Sequence, residues 1–155
     1  MHAIQDSYPN DTAICYGCGR NNEHGHHVRS FWDGTTATAT FMPKDYHTAF
    51  PGIVYGGLLA SIIDCHSIGT ASAAAYDREG LDPMLEHEIT HVTGNLNVSF
   101  LKPTPIGVEL KLVATIKEQT DRKAIVLCSV FADDVETVKA EVIAVRVPNR
   151  RFQQS

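Results

Sequence analysis

Hydrophobic and polar residues alternate along much of this chain, with a period of two that is typical of β-strands. The pattern is clearest in residues 92–100, where Val92, Leu96, Val98 and Phe100 alternate with Thr93, Asn95, Asn97 and Ser99. The same period recurs in residues 108–117, 123–132 and 136–147, separated by short turns. The second half of the chain therefore predicts four strands, which short connections make antiparallel neighbours.

The first half predicts a hairpin that follows an irregular segment. From His27 the sequence becomes strand-like, Asp33-Gly34 forms a turn, and residues 35–42 place Ala37, Ala39 and Phe41 on one face. Residues 1–26 are polar and rich in Asn, Gly and His, which favours an arm or capping segment. We expect this arm and one domain over residues 27–150.

A single strong helix is predicted between the hairpin and the four strands. The apolar run begins at Gly56, continues to about residue 76, and closes near Asp77 and Gly80. At ~1.5 Å per residue, such a helix is about 30 Å long. The run is apolar on most sides, which indicates an enclosed helix. The element order predicts an α+β fold with an antiparallel sheet packed on one helix.

The two sides of this helix differ in size. One side carries the large residues Leu58, Leu59, Ile62, Ile63 and His66, which we expect to pack on the sheet. Seven residues return a helix to within about 20° of the same side, so Gly57 and Asp64 face the same way. Their neighbours are mostly small or hydroxylated: Ala60, Ser61, Ser67, Ile68 and Ala71. We expect this small side to be open to a ligand or another subunit.

Composition narrows the classes of protein and partner. The chain has 155 residues, of which 43% are hydrophobic, so it can form one domain with a sizeable core. Its formal net charge is −5 and it has no basic stripe, which argues against nucleic acid as a partner. The N-terminal residues lack the features of a signal peptide, and no uninterrupted apolar run is long enough to span a membrane. We expect a cytoplasmic protein that makes no membrane contact.

Asp64 is the strongest candidate for chemistry. A carboxylate in an apolar stretch costs several kcal/mol unless it is paired or neutralised, and burial raises its pKa towards the range of a general base. A structural alternative is a hydrogen bond to Ser61 or Ser67 that serves packing. His66 lies about 200° away around the helix, so it cannot pair with Asp64 and is interpreted as a core histidine.

The glycine pair at the start of the helix is the second candidate. Gly56 and Gly57 present unpaired N–H groups at the positive end of the helix dipole, where they can polarise a carbonyl or stabilise an oxyanion. Gly57 and Asp64 are about 10 Å apart along the axis, so they cannot both reach one reacting carbon within one subunit. If both act on one substrate, two antiparallel helices must share the site across a two-fold axis. The helix therefore predicts a homodimer.

Three segments together resemble a known family. In this order and spacing, "CYGCGRNNEHG", "HTAFPGIVYGGLLASIIDCH" and "VTGNLNVSFLKPTPIG" are similar to the hotdog-fold acyl-CoA thioesterases, particularly the phenylacetate-pathway (PaaI-type) branch. The similarity covers roughly residues 15–147. It implies a curved antiparallel sheet wrapped around one long helix, a homodimer whose sheets join edge to edge, and often a homotetramer. It implies no cofactor.

The resemblance also implies roles for individual residues. The family's helical Asp, which acts as base or nucleophile on the thioester, matches Asp64. The glycine whose amide binds the carbonyl oxygen matches Gly57, and the hydroxyl that helps place the water matches Thr93. Tyr55 and Ala49 stand where the family has His and Asn. A tyrosine titrates near pH ~10 and cannot relay a proton as imidazole does, although nearby His47 could compensate.

Three functions follow from these residues. The leading one is hydrolysis of an acyl-CoA, with Asp64, Gly57 and Thr93 as catalytic residues and Gly56, Tyr55 and His47 in substrate binding. An acyl-thioester dehydratase or hydratase would instead pair His47 with Asp64. The third is a non-catalytic acyl-CoA-binding protein, suggested by the replacements at Tyr55 and Ala49.

Two motifs resemble metal-binding sequences, and neither predicts a metal site. Residues 87–91 read "HEITH", but Ile89 and Thr90 are β-branched and a strand follows, whereas a zinc-protease motif needs a helix. We expect a polar loop that enters the strand. The segment "CYGCG" offers only Cys15 and Cys18, with His24, His26 or His27 as further ligands, whereas a structural zinc site needs a closed set of four. Cys65 and Cys128 lie in apolar runs and are interpreted as small hydrophobic residues.

Overall fold

The computed structural model describes residues 1–148, and within them six strands form one antiparallel sheet around a single long helix. The elements are a short 3₁₀ helix Ile4–Ser7, β1 Phe31–Trp32, β2 Thr36–Phe41, α1 Gly56–Glu79, β3 Thr90–Phe100, β4 Leu110–Gln119, β5 Lys123–Ala132 and β6 Val135–Val147. The sheet order is β1-β2-β4-β5-β6-β3, and every neighbouring pair is antiparallel. The α+β fold predicted from the sequence is confirmed. Residues 149 and 150, the end of the predicted domain, lie outside the described residues.

The core lies between α1 and one face of the sheet. The large side of the helix is buried as predicted, with Leu59, Ile62 and Ile63 at 2% exposure or less. Alternate residues of the strands meet it, including Ala37, Leu110, Leu112, Val126, Val130, Val138 and Val142. The small side is only partly open, because Ser67 and Ala71 are fully buried. The expectation that these two residues are open to a ligand or another subunit is therefore wrong.

Local chemistry sets both ends of α1. Tyr55 precedes the helix in an extended conformation, and Gly80 ends it with φ = 67°, a left-handed conformation that glycine adopts without strain. The N–H of Leu81 then donates to the Tyr76 carbonyl, which satisfies one of the last carbonyls of the helix. By length and composition alone α1 could cross a membrane, but most of it is buried inside the protein, as in a core helix.

The predicted first strand is shorter than expected, because its backbone bonds to the N-terminal segment. The N–H of Val28 donates to the Gly17 carbonyl, and the N–H of Ser30 donates to Oε1 of the buried Gln5. Only Phe31 and Trp32 pair with β2. The N-terminal segment is therefore packed on the hairpin and the helix rather than extended away from them.

Candidate active site

Asp64 is half-buried two turns into α1, and its hydrogen bond reaches across to β3. The Thr93 hydroxyl donates to Asp64 Oδ1 at 2.5 Å. Neither Ser61 nor Ser67, the partners considered from the sequence, makes this bond. Burial raises the pKa of Asp64 above its ordinary value, the Thr93 hydrogen bond opposes that rise, and the nearby Cys15 adds to it. The net effect is a carboxylate that holds a proton more readily than an exposed aspartate.

A β-bulge brings Thr93 to Asp64. The pairing of β3 with β6 shifts register between Thr93 and Asn95, so that Gly94 is the extra residue. A bulge of this kind changes which face the following side chains occupy. Thr93 consequently lies on the same face as Leu96, Val98 and Phe100, opposite the buried residues Ala144, Val142, Ala140 and Val138 of β6. The strict alternation predicted from the sequence, which put Thr93 on the other face, is wrong at this point.

The bulge requires glycine at position 94. A Cβ there would lie 2.7 Å from Val145 Cγ2 and 3.3 Å from the Ile143 carbonyl oxygen, both of which belong to β6. A side chain at this position would force Val145 or the β6 backbone to shift, and so would disturb the strand pairing that brings Thr93 to the helix. Gly94 therefore supports the site indirectly, because it allows the bulge that positions Thr93. The sequence pattern alone gave no reason to expect this role.

The helix start presents the glycine amides that the sequence predicted. Leu58 and Leu59 both donate to the Tyr55 carbonyl, whereas none of the cap and turn hydrogen bonds of the described residues uses the N–H of Gly56 or Gly57. The Tyr55 ring lies over Gly57, where a Cβ would come within 2.5 Å of its Cε1 atom. Tyr55 is 57% exposed, so its ring packs on Gly57 at the protein surface.

An open, mostly apolar cleft of about 340 Å³ adjoins the same end of the helix. Its lining residues include Ile53, Gly56, Leu59, Phe100 and Lys102. Phe100 is 54% exposed and its ring atoms lie 3.4 Å from a Cβ built on Gly56. The cleft is apolar enough for an acyl chain or a pantetheine arm, and its open side leaves room for a second molecule.

His47 lies in a different cluster. Its ring packs against the rings of His26, Phe41 and Tyr46, and its Nδ1 accepts a hydrogen bond from the N–H of Lys44. Burial, together with the charge of Lys44, lowers the pKa of His47. Its main-chain carbonyl accepts a hydrogen bond from Tyr55, so this loop positions the helix start. The His47 side chain does not contact Asp64 within the described chain.

His66 behaves as the sequence indicated, and His91 does not. His66 is fully buried, with Nδ1 2.7 Å from the Ser30 hydroxyl and Nε2 3.3 Å from the Ala37 carbonyl oxygen. It is a core residue, and burial lowers its pKa to about 4. In the "HEITH" segment, residues 87–89 form a loop and the last two residues are the first of β3. His91 was expected in a polar loop, but it is a buried strand residue whose Nδ1 lies 3.0 Å from the Ser72 hydroxyl.

Sequence reasoning missed a cluster of three thiols beside Asp64. The sulfur atoms of Cys15, Cys18 and Cys65 lie within 4.8 Å of one another, although the third is 47 residues from the second. Hydrogen bonds from Cys18 and Cys65 lower the pKa of Cys15, and the hydrogen bond with Cys15 raises the pKa of Cys18 to about 12. The sequence contained one sign of this cluster: Cys65 directly follows Asp64, so its thiol had to lie near the candidate catalytic carboxylate.

Comparisons with known proteins agree with this architecture. The profile of the thioesterase superfamily matches residues 51–139. The solved structure of a thioesterase superfamily protein from Shewanella loihica is 44% identical, covers 82% of this chain and 96% of its own, and superposes with a TM-score of 0.66. A Streptococcus mutans protein bound to acetyl CoA shares the fold with a TM-score of 0.63 at 18% identity, covering 78% of this chain and 87% of its own.

A curated relative comes from rat. Acyl-coenzyme A thioesterase THEM4 is 30% identical over 94 residues, which is 61% of this chain and 35% of the rat protein. The chain thus spans little more than a third of the length of the curated relatives it matches. With more than half of its residues matched by the family profile, and with the hotdog architecture and the helix of the sequence resemblance in place, this chain belongs to the thioesterase superfamily.

Proposed function

We propose that this protein is an acyl-CoA thioesterase that releases a free acid and coenzyme A, with Asp64 as the group that activates water. The observation that carries the proposal is the hydrogen bond from Thr93 to Asp64 Oδ1, because it fixes a half-buried carboxylate whose pKa is raised by burial. Membership of the superfamily and the name of the rat relative support the substrate class.

In the proposed reaction, Thr93 holds Oδ1 and the other carboxylate oxygen, Oδ2, takes a proton from water. The water oxygen bonds to the thioester carbonyl carbon, and the carbonyl oxygen gains negative charge that a Gly57 N–H stabilises. When the tetrahedral intermediate collapses, the carbon–sulfur bond breaks and the proton on Asp64 passes to the leaving thiolate. Direct attack by an Asp64 oxygen on the carbonyl carbon would instead expel the thiolate and form an anhydride. One water molecule then hydrolyses the anhydride to the free acid and the Asp64 carboxylate, and the remaining proton of that water passes to the thiolate.

The proposed site is shared by two copies of the chain. Seven residues of helix separate Gly57 from Asp64, a rise of about 10 Å, so one carbonyl carbon cannot reach both in one copy. β3 lies at the edge of the sheet, and its residues Leu96 and Phe100 are exposed in the single chain. An exposed edge strand of this kind pairs readily with another strand. Pairing through β3 in a homodimer, alone or within a homotetramer, would place two α1 helices beside each other.

The decisive experiment is Asp64→Asn, assayed by release of free thiol from a panel of acyl-CoAs. General-base catalysis contributes roughly 10²–10⁴-fold, so we expect kcat to fall by about that factor while the substrate still binds. Asp134→Asn is the matched control: Asp134 lies in the β5–β6 turn with φ = 62°, a conformation that asparagine tolerates, and we expect wild-type kcat.

Three results would contradict the proposal. Full activity of Asp64→Asn would remove Asp64 from the mechanism. Tight binding of acyl-CoAs by the native protein without turnover would indicate a binding protein, in line with the Tyr55 replacement. Reversible hydration of an enoyl-CoA without release of thiol would indicate a hydratase or dehydratase.

A further inference from the structure

The three thiols beside Asp64 have the spacing of a metal site. The sulfur atoms of Cys15 and Cys65 are 3.8 Å apart, and all three sulfurs lie within 4.8 Å of one another. A tetrahedral zinc ion with ~2.3 Å bonds to sulfur places its ligand atoms roughly 3.8 Å apart. The S–S bond of a disulfide is only ~2.05 Å, so the sulfurs are arranged around a common centre rather than joined in a pair.

The backbone around Cys15 and Cys18 is shaped to permit this approach. A Cβ on Gly17 would lie 2.3 Å from Cys65 Sγ, and a Cβ on Gly19 would lie 2.4 Å from the Cys15 nitrogen. The N–H of Gly19 also donates to the Cys15 carbonyl at 2.8 Å, which closes a tight turn. The glycines of "CYGCG" are therefore required for the thiols to meet the helix.

The surroundings of the cluster give a metal ion access. Cys15 is exposed, whereas Cys18 is buried and Cys65 is half-buried, so one side of the cluster opens to solvent.

The histidines considered from the sequence are occupied elsewhere. The His26 ring packs between Tyr16 and His47, and His27 Nε2 lies 2.5 Å from the Asn22 carbonyl oxygen. Within residues 1–148, the group of close ligand atoms contains the three cysteines and no histidine. The sequence prediction of no metal counted only two cysteines, because the third comes from the helix.

We propose that Cys15, Cys18 and Cys65 bind one Zn²⁺ ion through three thiolates, with water or a small thiol as the fourth ligand. Each thiol that binds as thiolate releases its proton to solvent, and no electron is transferred. Thiolates are the ligands that select zinc over harder cations. The ion would join the N-terminal segment to α1 next to Asp64. It takes no part in the steps of the proposed hydrolysis.

The test measures metal directly and needs no substrate. The fully reduced native protein is incubated with Zn²⁺, freed of unbound ion, and analysed by mass spectrometry for metal content; a parallel sample is loaded with Co²⁺ and its absorption is recorded. We expect about one zinc ion per chain, a sulfur-to-cobalt charge-transfer band, and the strong visible bands of tetrahedral cobalt.

Alanine variants assign the ligands. Cys15→Ala, Cys18→Ala and Cys65→Ala should each lower zinc affinity at least tenfold and weaken the charge-transfer band. Cys128→Ala is the matched control, since this buried thiol lies on β5 outside the cluster, and it should bind zinc as the native protein does.

A chelator tests zinc binding by the native protein, and this test does not depend on whether a cysteine variant folds. Zinc that binds only the folded chain stabilises it, so a chelator should lower the Tm of the zinc-loaded native protein. Failure of the reduced native protein to retain zinc would overturn the proposal. So would an unchanged cobalt spectrum in all three cluster variants, or an unchanged Tm on chelation.

Discussion

At the scale of residues, the site depends on a pair that is far apart in the sequence. Asp64 and Thr93 are 29 positions apart, yet a single hydrogen bond joins them. Burial and this hydrogen bond act on the pKa of Asp64 in opposite directions, and burial has the larger effect. A base in this position is active only when it has lost its proton. The rate should therefore fall as pH decreases, and the fall should begin at a higher pH than for an ordinary aspartate.

Replacing Thr93 by valine should shift the acid limb of the pH–rate profile, where the rate falls, to still higher pH. The substitution keeps the shape of the side chain but removes the donor that favours the charged carboxylate, so the pKa of Asp64 rises and the acid limb of kcat/KM shifts to higher pH. At neutral pH we expect roughly a tenfold loss, the value of one hydrogen bond to a charged group. Thr93→Ser keeps the donor and should retain the native profile. An acid limb that does not move in Thr93→Val would show that Asp64 is not the titrating base.

At the scale of elements, α1 is held by polar contacts buried on its sheet side. His66 bonds to Ser30, whose backbone and hydroxyl both contact Gln5 of the 3₁₀ helix. His91 on β3 bonds to Ser72 of α1 in a similar way. Burial lowers the pKa of both histidines to about 4. The helix, the hairpin and the N-terminal segment are thus joined by groups that must stay neutral.

The free energy of unfolding should decrease as pH falls through this range. Each histidine has a folded pKa of about 4 and an unfolded value near ~6.5, so the unfolded chain binds more protons between these values. Stability is therefore complete above about pH 6.5 and is lost on acidification towards pH 4, by up to about 3 kcal/mol for the fully buried His66.

The variant His66→Asn should reduce the slope of the free energy of unfolding against pH by the equivalent of about one bound proton. This holds whatever the effect of the substitution on stability at neutral pH. Urea unfolding at a series of pH values measures the slope. His24→Asn, at an exposed histidine, should leave the slope unchanged. An unaltered slope in His66→Asn would mean that His66 takes up its proton as readily in the folded protein as in the unfolded chain.

At the scale of the whole molecule, our proposal requires an assembly, because the active site as proposed would be complete only when two copies meet. One chain supplies Asp64, which Thr93 of β3 holds, and a pair of glycine amides. Asp64 and the glycines lie about two turns apart along the same helix. The open cleft at Gly56 and the exposed edge strand β3 belong to one copy, and a second copy would cover both. Activity should therefore depend on a contribution from each partner.

Co-expression of two inactive variants tests this dependence. Asp64→Asn removes the base, and Gly57→Val adds a side chain that displaces the Tyr55 ring and crowds the surface beside the amide. If each site takes Asp64 from one copy and Gly57 from the other, a mixed dimer has one intact site of two. Random pairing makes half of the dimers mixed, so about a quarter of native activity should return. Co-expression that restores nothing, although mixed dimers form, would place both groups in one chain.

Much of this protein can be predicted from its sequence because local patterns determine it. The period of two specifies β4, β5 and β6, the apolar run from Gly56 to the left-handed Gly80 specifies α1, and helical geometry puts Gly57 and Asp64 on one side. These features depend on residues close in sequence, where backbone geometry leaves few choices. The segments shared with the thioesterase superfamily also identified the family correctly.

Tertiary structure alone decided the contacts between distant segments. The bulge at Gly94 reversed the face of Thr93, and the packing of β3 on β6 causes it. The N-terminal segment replaced part of the first strand because Gln5 and Gly17 offered acceptors to residues 28–30. Cys65 met Cys15 and Cys18 only because the glycine turn lies against α1. A sequence pattern records which face a residue occupies within its own element, whereas the close approach of two elements depends on the packing of the whole chain.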